Sequence, residues 1–312
     1  MGKVFRANMY FLIILLMEIF GPMILVPIYK VIGLNDTRII LFLNHVILFL
    51  LPAILYLILT KSSFKDTLKL NKLPWKDTLL IILLAFMVQP IMTFFSLIAT
   101  FFFNNEIGVF ISEITSTPYI FLLSLVALLP SITEEITIRG IVLSGYENKN
   151  KYVAAIITGL FFGILHLNAQ QFLYAAVLGF ILALVVRITN SIFASMIMHF
   201  IINGTSVTIA KLSSYITSTT SIIGDTAELT LKNIPLAEKL VLFITYGAIA
   251  VVFATFVFLI INKLEKLNMK RRSENLSYTR GEIVKDNENI FNIPFILTII
   301  IYIIIMVITI YI

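Results

Sequence analysis

Residues 118–141 read PYIFLLSLVALLPSITEEITIRGI. Up to Leu129 the stretch carries no charge, which is the character of a helix crossing a bilayer. Glu134, Glu135 and Arg139 then interrupt it, yet Ile136, Ile138, Ile141 and Val142 carry the apolar character past them. A solvated helix end would turn polar at that point. An ionisable group at bilayer depth costs on the order of 3 kcal/mol unless paired or hydrated, so charges held there point to function.

The rest of the chain supports a membrane setting. Of 312 residues, 59% are hydrophobic and 13% are charged, and the mean hydropathy is +1.01. Soluble domains carry about 25% charged residues. A soluble chain of this size could not bury so much apolar surface. A soluble enzyme, a disordered chain and a repeat solenoid are thereby excluded. Continuous rather than alternating apolar runs argue against an outer-membrane barrel. Cysteine is absent, which removes disulfides, thiolate metal sites and a cysteine nucleophile.

Nine apolar blocks lie at 9–29, 39–60, 78–103, 118–141, 152–167, 172–186, 191–210, 239–261 and 290–312. The expected fold is all-α: a polytopic membrane protein of about nine transmembrane helices, with eight as the alternative. Kinked helices surround an intramembrane polar site. The fifth and sixth blocks are short and read as tilted re-entrant pieces or as the buried centre of the bundle. Residues 1–312 read as one membrane domain with a core at 118–210. Residues 263–289 are expected to be a charged cytoplasmic loop, and the Ser/Thr-rich stretch after Ala210 an outer loop. Lys3 and Arg6 precede the first block as in a secretory signal. Its length, Glu18, Pro22 and the lack of a small-residue cleavage site mark it instead as a retained span. Arg6 occupies the position where myristoylation needs Ser or Thr.

The net charge of +6 is informative through its distribution. With a cytoplasmic N-terminus, 17 basic residues fall inside and five outside, which follows the positive-inside rule. The expected location is the cell membrane, multi-pass. The expected partners are the lipid bilayer and a peptide or protein substrate in or near it; no nucleic acid is expected.

Few polar residues lie inside the apolar blocks. Glu135 and Arg139 stand i and i+4, so they share a helix face and pair. Glu134 sits about 100° away, without that arginine, in an apolar setting suited to a general base. Pro130 kinks the helix just ahead. Phe162 and His166 share a face, and Gly159 with Gly163 form a small-xxx-small pattern for close helix approach. His199 and Asn203 again stand i and i+4. Separately, each histidine could be a packing contact. Together these groups equip water-activated hydrolysis: a carboxylate and a histidine to deprotonate water, and a histidine and an amide to stabilise an oxyanion. Glu134, His166 and His199 are also candidate ligands for one divalent metal such as zinc, so a metal cofactor and a metal-free site both remain open. HExxH is absent. Glu18 and His45 read as structural, and Trp75 as an interfacial anchor.

EExxxR at Glu134, Glu135 and Arg139, FxxxH at Phe162 and His166, and HxxxN at His199 and Asn203 occur in that order. They resemble the CPBP family, the intramembrane CAAX-prenyl endopeptidases and bacteriocin-processing enzymes also called the Abi family. The resemblance covers about 118–210. It implies a helical membrane endopeptidase, of glutamate or metallo type. Glu134 would be the general base assisted by His166, with His199 and Asn203 the oxyanion site. Glu135 and Arg139 would hold the site together. The expected function is intramembrane hydrolysis of a membrane-associated or secreted peptide. A prenylated CAAX substrate needs a prenylating host, and the Ile-, Lys- and Asn-rich composition is of a bacterial kind. The competing readings are bacteriocin self-immunity or peptide binding without catalysis, and a proton-coupled transporter. At about 1.5 Å per residue, His199 lies about 14 Å from the cytoplasmic end of its span if that span begins at Asn190, and His166 about 21 Å from Tyr152. Levelling them with Glu134 needs a tilted fifth helix or a longer, kinked fourth.

Overall fold

The computed structural model describes residues 2–104, 108, 110–111, 114, 116–220, 231–275 and 288–311. These residues form helices and no strand. The long elements are α1 (Lys3–Val31), α2 (Thr37–Leu59), α3 (Trp75–Thr100), α4 (Tyr119–Gly145), α5 (Lys151–Leu165), α6 (Ala169–Thr189), α7 (Ile192–Thr220), α8 (Leu236–Asn275) and α9 (Ile293–Tyr311). Each apolar block thus forms a helix. Seven are long and apolar enough to cross a membrane, and α5 and α9 are the shorter two. The protein is an all-α polytopic membrane protein.

Burial ranks the helices. In α6, 61% of the apolar window is buried, against 11% in α8. The short sixth block is therefore the centre of the bundle, and α8 is peripheral. At 15 residues, α5 extends only about 22 Å. It turns at His166, with Leu167 at φ 47°, and α6 starts again at Ala169 behind the Asn168 cap. The hairpin turn is half-buried, and Gln170 and Gln171 just after it are buried.

Glycine permits this hairpin. A Cβ on Gly159 would lie 2.7 Å from Ala176 O and from Phe180 N, both backbone atoms of α6. Gly179 on α6 returns the contact, since its Cβ would meet Gly159 Cα at 2.9 Å. Gly159→Val is expected to cost about 1–3 kcal/mol by forcing the helices apart. Thermal unfolding in detergent checks this: an unchanged midpoint would mean the two backbones can separate freely.

Prolines shape α2 and α4 in one way. Each contains a π-helical turn, Val46–Leu50 or Ser124–Leu128, followed by Leu and then Pro52 or Pro130. Proline offers no N–H and its ring clashes with the carbonyl four residues back. A wider turn relieves that clash. A second π segment in α4, Ile136–Val142, contains Arg139. The fourth helix is thus 27 residues long and irregular, the second of the two arrangements that bring Glu134 to the depth of the histidines.

Two expected loops are corrected. Residues 263–275 are not a loop but the continuation of α8, whose 40 residues extend about 60 Å, twice a hydrocarbon core. The extension holds because one face packs inward. Leu264 is fully buried, Asn268 Nδ2 donates to Asp77 Oδ2 at 2.8 Å, and Arg271 pairs with Asp77. Residues 276–287 of that stretch lie outside the described residues. Residues 211–220 likewise continue α7, because neither Gly nor Pro stops the helix after Gly204.

The basic segments meet at one end of the bundle. Lys69 pairs with Glu147 at 2.7 Å, Lys151 with Glu265, and Lys149 Nζ donates to Glu288 O at 2.6 Å. Glu288 also caps α1, accepting from Lys3 N at 2.7 Å and Val4 N at 2.8 Å.

Candidate active site

Four helices deliver the site. Glu134, Glu135 and Arg139 come from α4, Phe162 from α5 with His166 as its C-terminal cap, and His199 and Asn203 from α7. Central α6 supplies the backbone they lean on.

The Glu135–Arg139 pair forms as its spacing predicts. Arg139 Nη1 donates to Glu135 Oε1 at 2.9 Å, and both side chains are wholly buried. Arg139 Nη2 donates to Gly179 O at 3.2 Å, and its guanidinium stacks 4.2 Å over the Phe162 ring. A buried charge needs partners on every side, and here they come from α4, α5 and α6. Glu135 Oε1 also accepts from His199 Nδ1 at 2.9 Å. That bond places the ring proton on Nδ1 and turns Nε2 away from Glu135.

Asn203 Nδ2 lies 3.2 Å from His199 Nε2 and 3.2 Å from Val126 O. Val126 is the residue four before Pro130, the carbonyl that Pro130 cannot satisfy. The proline in α4 thus prepares an acceptor that anchors Asn203 on α7. Pro130→Ala supplies an N–H to that carbonyl and should release Asn203. The expected result is unchanged or higher thermal stability with activity reduced about tenfold or more, as for loss of one positioned donor. Unchanged activity would separate the proline from Asn203.

His166 Nδ1 donates to Phe162 O at 2.7 Å, so its Nε2 carries the lone pair when the ring is neutral. Phe162 meets both histidines edge-on, at 4.9 Å for His166 and 5.7 Å for His199. One aromatic ring therefore spaces the two imidazoles and the arginine. Glu134 differs from its neighbour. Its Oε2 is buried without a hydrogen-bond partner and lies 4.0 Å from His199 Nε2.

Glu134, Phe162, His166, His199 and Asn203 all line one cavity of about 460 Å³. Its walls are otherwise mainly apolar, the usual form of a small-ligand or substrate site. Glu135 and Arg139 stand behind this lining, so every residue expected at the site is brought together.

Other polar groups escaped the motif reading. Gln170, Gln171 and Tyr174 line the cavity from α6, with Ser96 from α3. Gln170 Nε2 donates to Ser96 Oγ at 3.0 Å, and Tyr174 OH to Gln171 Oε1 at 2.9 Å. The available signal was Asn168 as a helix cap followed by two glutamines between two short apolar blocks. His45, read as structural, touches the site from behind. Thr133 gives its hydroxyl hydrogen to Leu129 O, so His45 Nδ1 is the donor in the 2.9 Å bond to Thr133 Oγ1. Glu18 lies within electrostatic reach of Glu134, and its Oε1 is buried without a partner.

Among the described residues no group of three or more His, Cys, Asp or Glu is placed to hold a metal ion. Glu134, His166 and His199, the candidate ligands, face one cavity. Of the two nitrogens of His199, Nδ1 engages Glu135 and Nε2 faces Asn203.

Residues 116–205 match the family model described as type II CAAX prenyl endopeptidase Rce1-like. The match covers α4 to about the middle of α7, and over this stretch the chain is similar to the CPBP intramembrane proteases. No curated protein and no solved structure matches the chain.

Proposed function

We propose that the protein hydrolyses a peptide bond inside the membrane with water activated by Glu134 and His166. The observation that carries this reading is the convergence of an unpartnered carboxylate, two oriented imidazoles and an amide on one cavity. Water between Glu134 and His166 Nε2 gives its proton to the carboxylate as its oxygen attacks the carbonyl carbon. Glu134 then returns that proton to the departing amine, which balances the step. His199, holding Nδ1–H on Glu135, becomes a donor into the cavity when Nε2 has taken up a second proton from solvent water before the attack, a proton it keeps through the cycle. That proton displaces the Asn203 hydrogen from Nε2. Both groups then offer hydrogen bonds to the oxyanion at the same moment.

The gathering of basic segments at one end of the bundle supports a cytoplasmic N-terminus under the positive-inside rule. The substrate class we favour is a membrane-associated or secreted peptide reaching the cavity from the bilayer or that face.

The test uses purified protein in liposomes with a library of membrane peptides, reading new termini by mass spectrometry. Wild type should generate new termini and Glu134→Gln should not. Equal cleavage by both would remove Glu134 from the chemistry. Peptide retention without new termini would overturn hydrolysis in favour of binding alone.

A further inference from the structure

A second cavity, of about 410 Å³, opens among the ends of the helices on the basic side of the bundle. Lys69, Arg139, Lys151, Arg187 and Arg272 line it, against a single acid, Glu147. Three of the cations are neutralised. Lys69 pairs with Glu147 at 2.7 Å, Lys151 with Glu265, and Arg139 with Glu135. Glu147 lies outside the apolar spans. Burial works against its charged form, but the Lys69 hydrogen bond and the nearby charges of Lys69, Lys3 and Arg187 hold its carboxyl below the usual range. It therefore stays ionised and committed to Lys69.

Arg187 and Arg272 have no such partner. Among the described residues neither forms an ion pair with a carboxylate. Arg187 Nη1 donates to Glu147 O at 2.9 Å and its Nη2 to Lys149 O at 3.1 Å, just past the end of α4. Arg272 Nη2 donates to Ile188 O at 3.0 Å and Arg187 O at 3.3 Å, in the last turn of α6. Arg272 thus faces the C-terminal end of a helix, and Arg187 faces neutral turn carbonyls. A helix C-terminus carries about half a negative charge, so two full positive charges meet about half of one negative charge there. A surplus of more than one positive charge remains, and the two guanidinium groups repel each other. In addition, Arg139 Nε is buried with no acceptor.

The cavity lies where apolar helices end. α5 begins at Lys151 and α6 ends at Thr189. This is the depth of lipid headgroups, and basic pockets between transmembrane helices on the cytoplasmic side are a known setting for anionic headgroups. We propose that the cavity between the ends of α4, α5, α6 and α8 binds a phosphate anion, held by Arg187 and Arg272. Its two sources are the headgroup of an anionic phospholipid and free phosphate from solution. Guanidinium groups suit either, because their planar donors match phosphate oxygens. The proposal stands apart from proteolysis, since it needs only the basic end and the ends of the helices.

The test uses the full chain in maltoside detergent. Native mass spectrometry measures retained phosphatidylglycerol against phosphatidylcholine with the same acyl chains. Separately, thermal unfolding is followed with inorganic phosphate alone. If the lipid is the source, phosphatidylglycerol is retained about fivefold or more over phosphatidylcholine, and Arg272→Gln lowers its retention about fivefold. Lys266→Gln removes the same charge from an exposed position on the same helix, outside the cavity, and should leave the preference intact. If free phosphate is the source, it raises the unfolding midpoint of wild type but not of Arg272→Gln, without lipid preference. Should Arg272→Gln fail to fold, Lys69→Gln decides. It frees the Glu147 charge inside the cavity and should reduce anion binding at least as much. Absence of both lipid preference and phosphate stabilisation overturns the proposal. So does equal loss in Arg272→Gln and Lys266→Gln, which would reduce the effect to general surface charge.

Discussion

Glu134→Gln is expected to lower the rate of peptide hydrolysis by about 10²–10⁴-fold, the range for loss of a general base. Its thermal stability should be equal to wild type or higher. The two expectations arise from one fact: Glu134 Oε2 is buried without a hydrogen-bond partner. A buried polar atom left unmatched destabilises the folded state, and the amide that replaces it has nearly the same shape and no charge. A large activity loss with no stability loss identifies a group held for chemistry rather than for packing. The measurement pairs initial cleavage rates with unfolding midpoints on the same preparations. A variant that loses activity only because it unfolds would sink the assignment.

Arg139→Met should behave in the opposite way. It leaves Glu135 buried and wholly inaccessible with its counter-ion gone. Breaking a buried pair from one side costs about 3–5 kcal/mol, and the guanidinium contact with the Phe162 ring is lost as well. Detergent unfolding should show a large drop in midpoint. The double variant Glu135→Gln with Arg139→Met removes both charges and should recover much of that loss. It should nonetheless remain inactive, because His199 loses the carboxylate that orients it. If the single substitution costs no more than the double, the pair is not a unit. Under the proposed function, these two outcomes together would assign Glu134 to the chemistry and Glu135 to the scaffold.

Much of this was legible in the chain. Continuous apolar blocks specify helices because a bilayer offers backbone groups no other partner. The i, i+4 spacings specify shared faces, and Glu135–Arg139, Phe162–His166 and His199–Asn203 all meet as that spacing requires. Gly159 and Gly163 marked a close approach, and the backbone of α6 lies against both. The extents of α7 and α8 were less legible. Polar composition suggested loops, but composition does not register the buried anchor at Asp77 that keeps α8 helical through Arg271.

The sequence by itself determined the membrane class, the helices and the face on which each polar group stands, because these follow from hydropathy and helical period alone. Tertiary structure decided which faces converge. Only the packed bundle brings Val126 O to Asn203, Glu135 to His199 and Gly179 O to Arg139. It also buries Gln170 and Gln171 just after the α5–α6 turn, where they line the cavity. The depth of a short helix, and the partner of a carbonyl released by a proline, depend on neighbours far away in the chain. No local period encodes them.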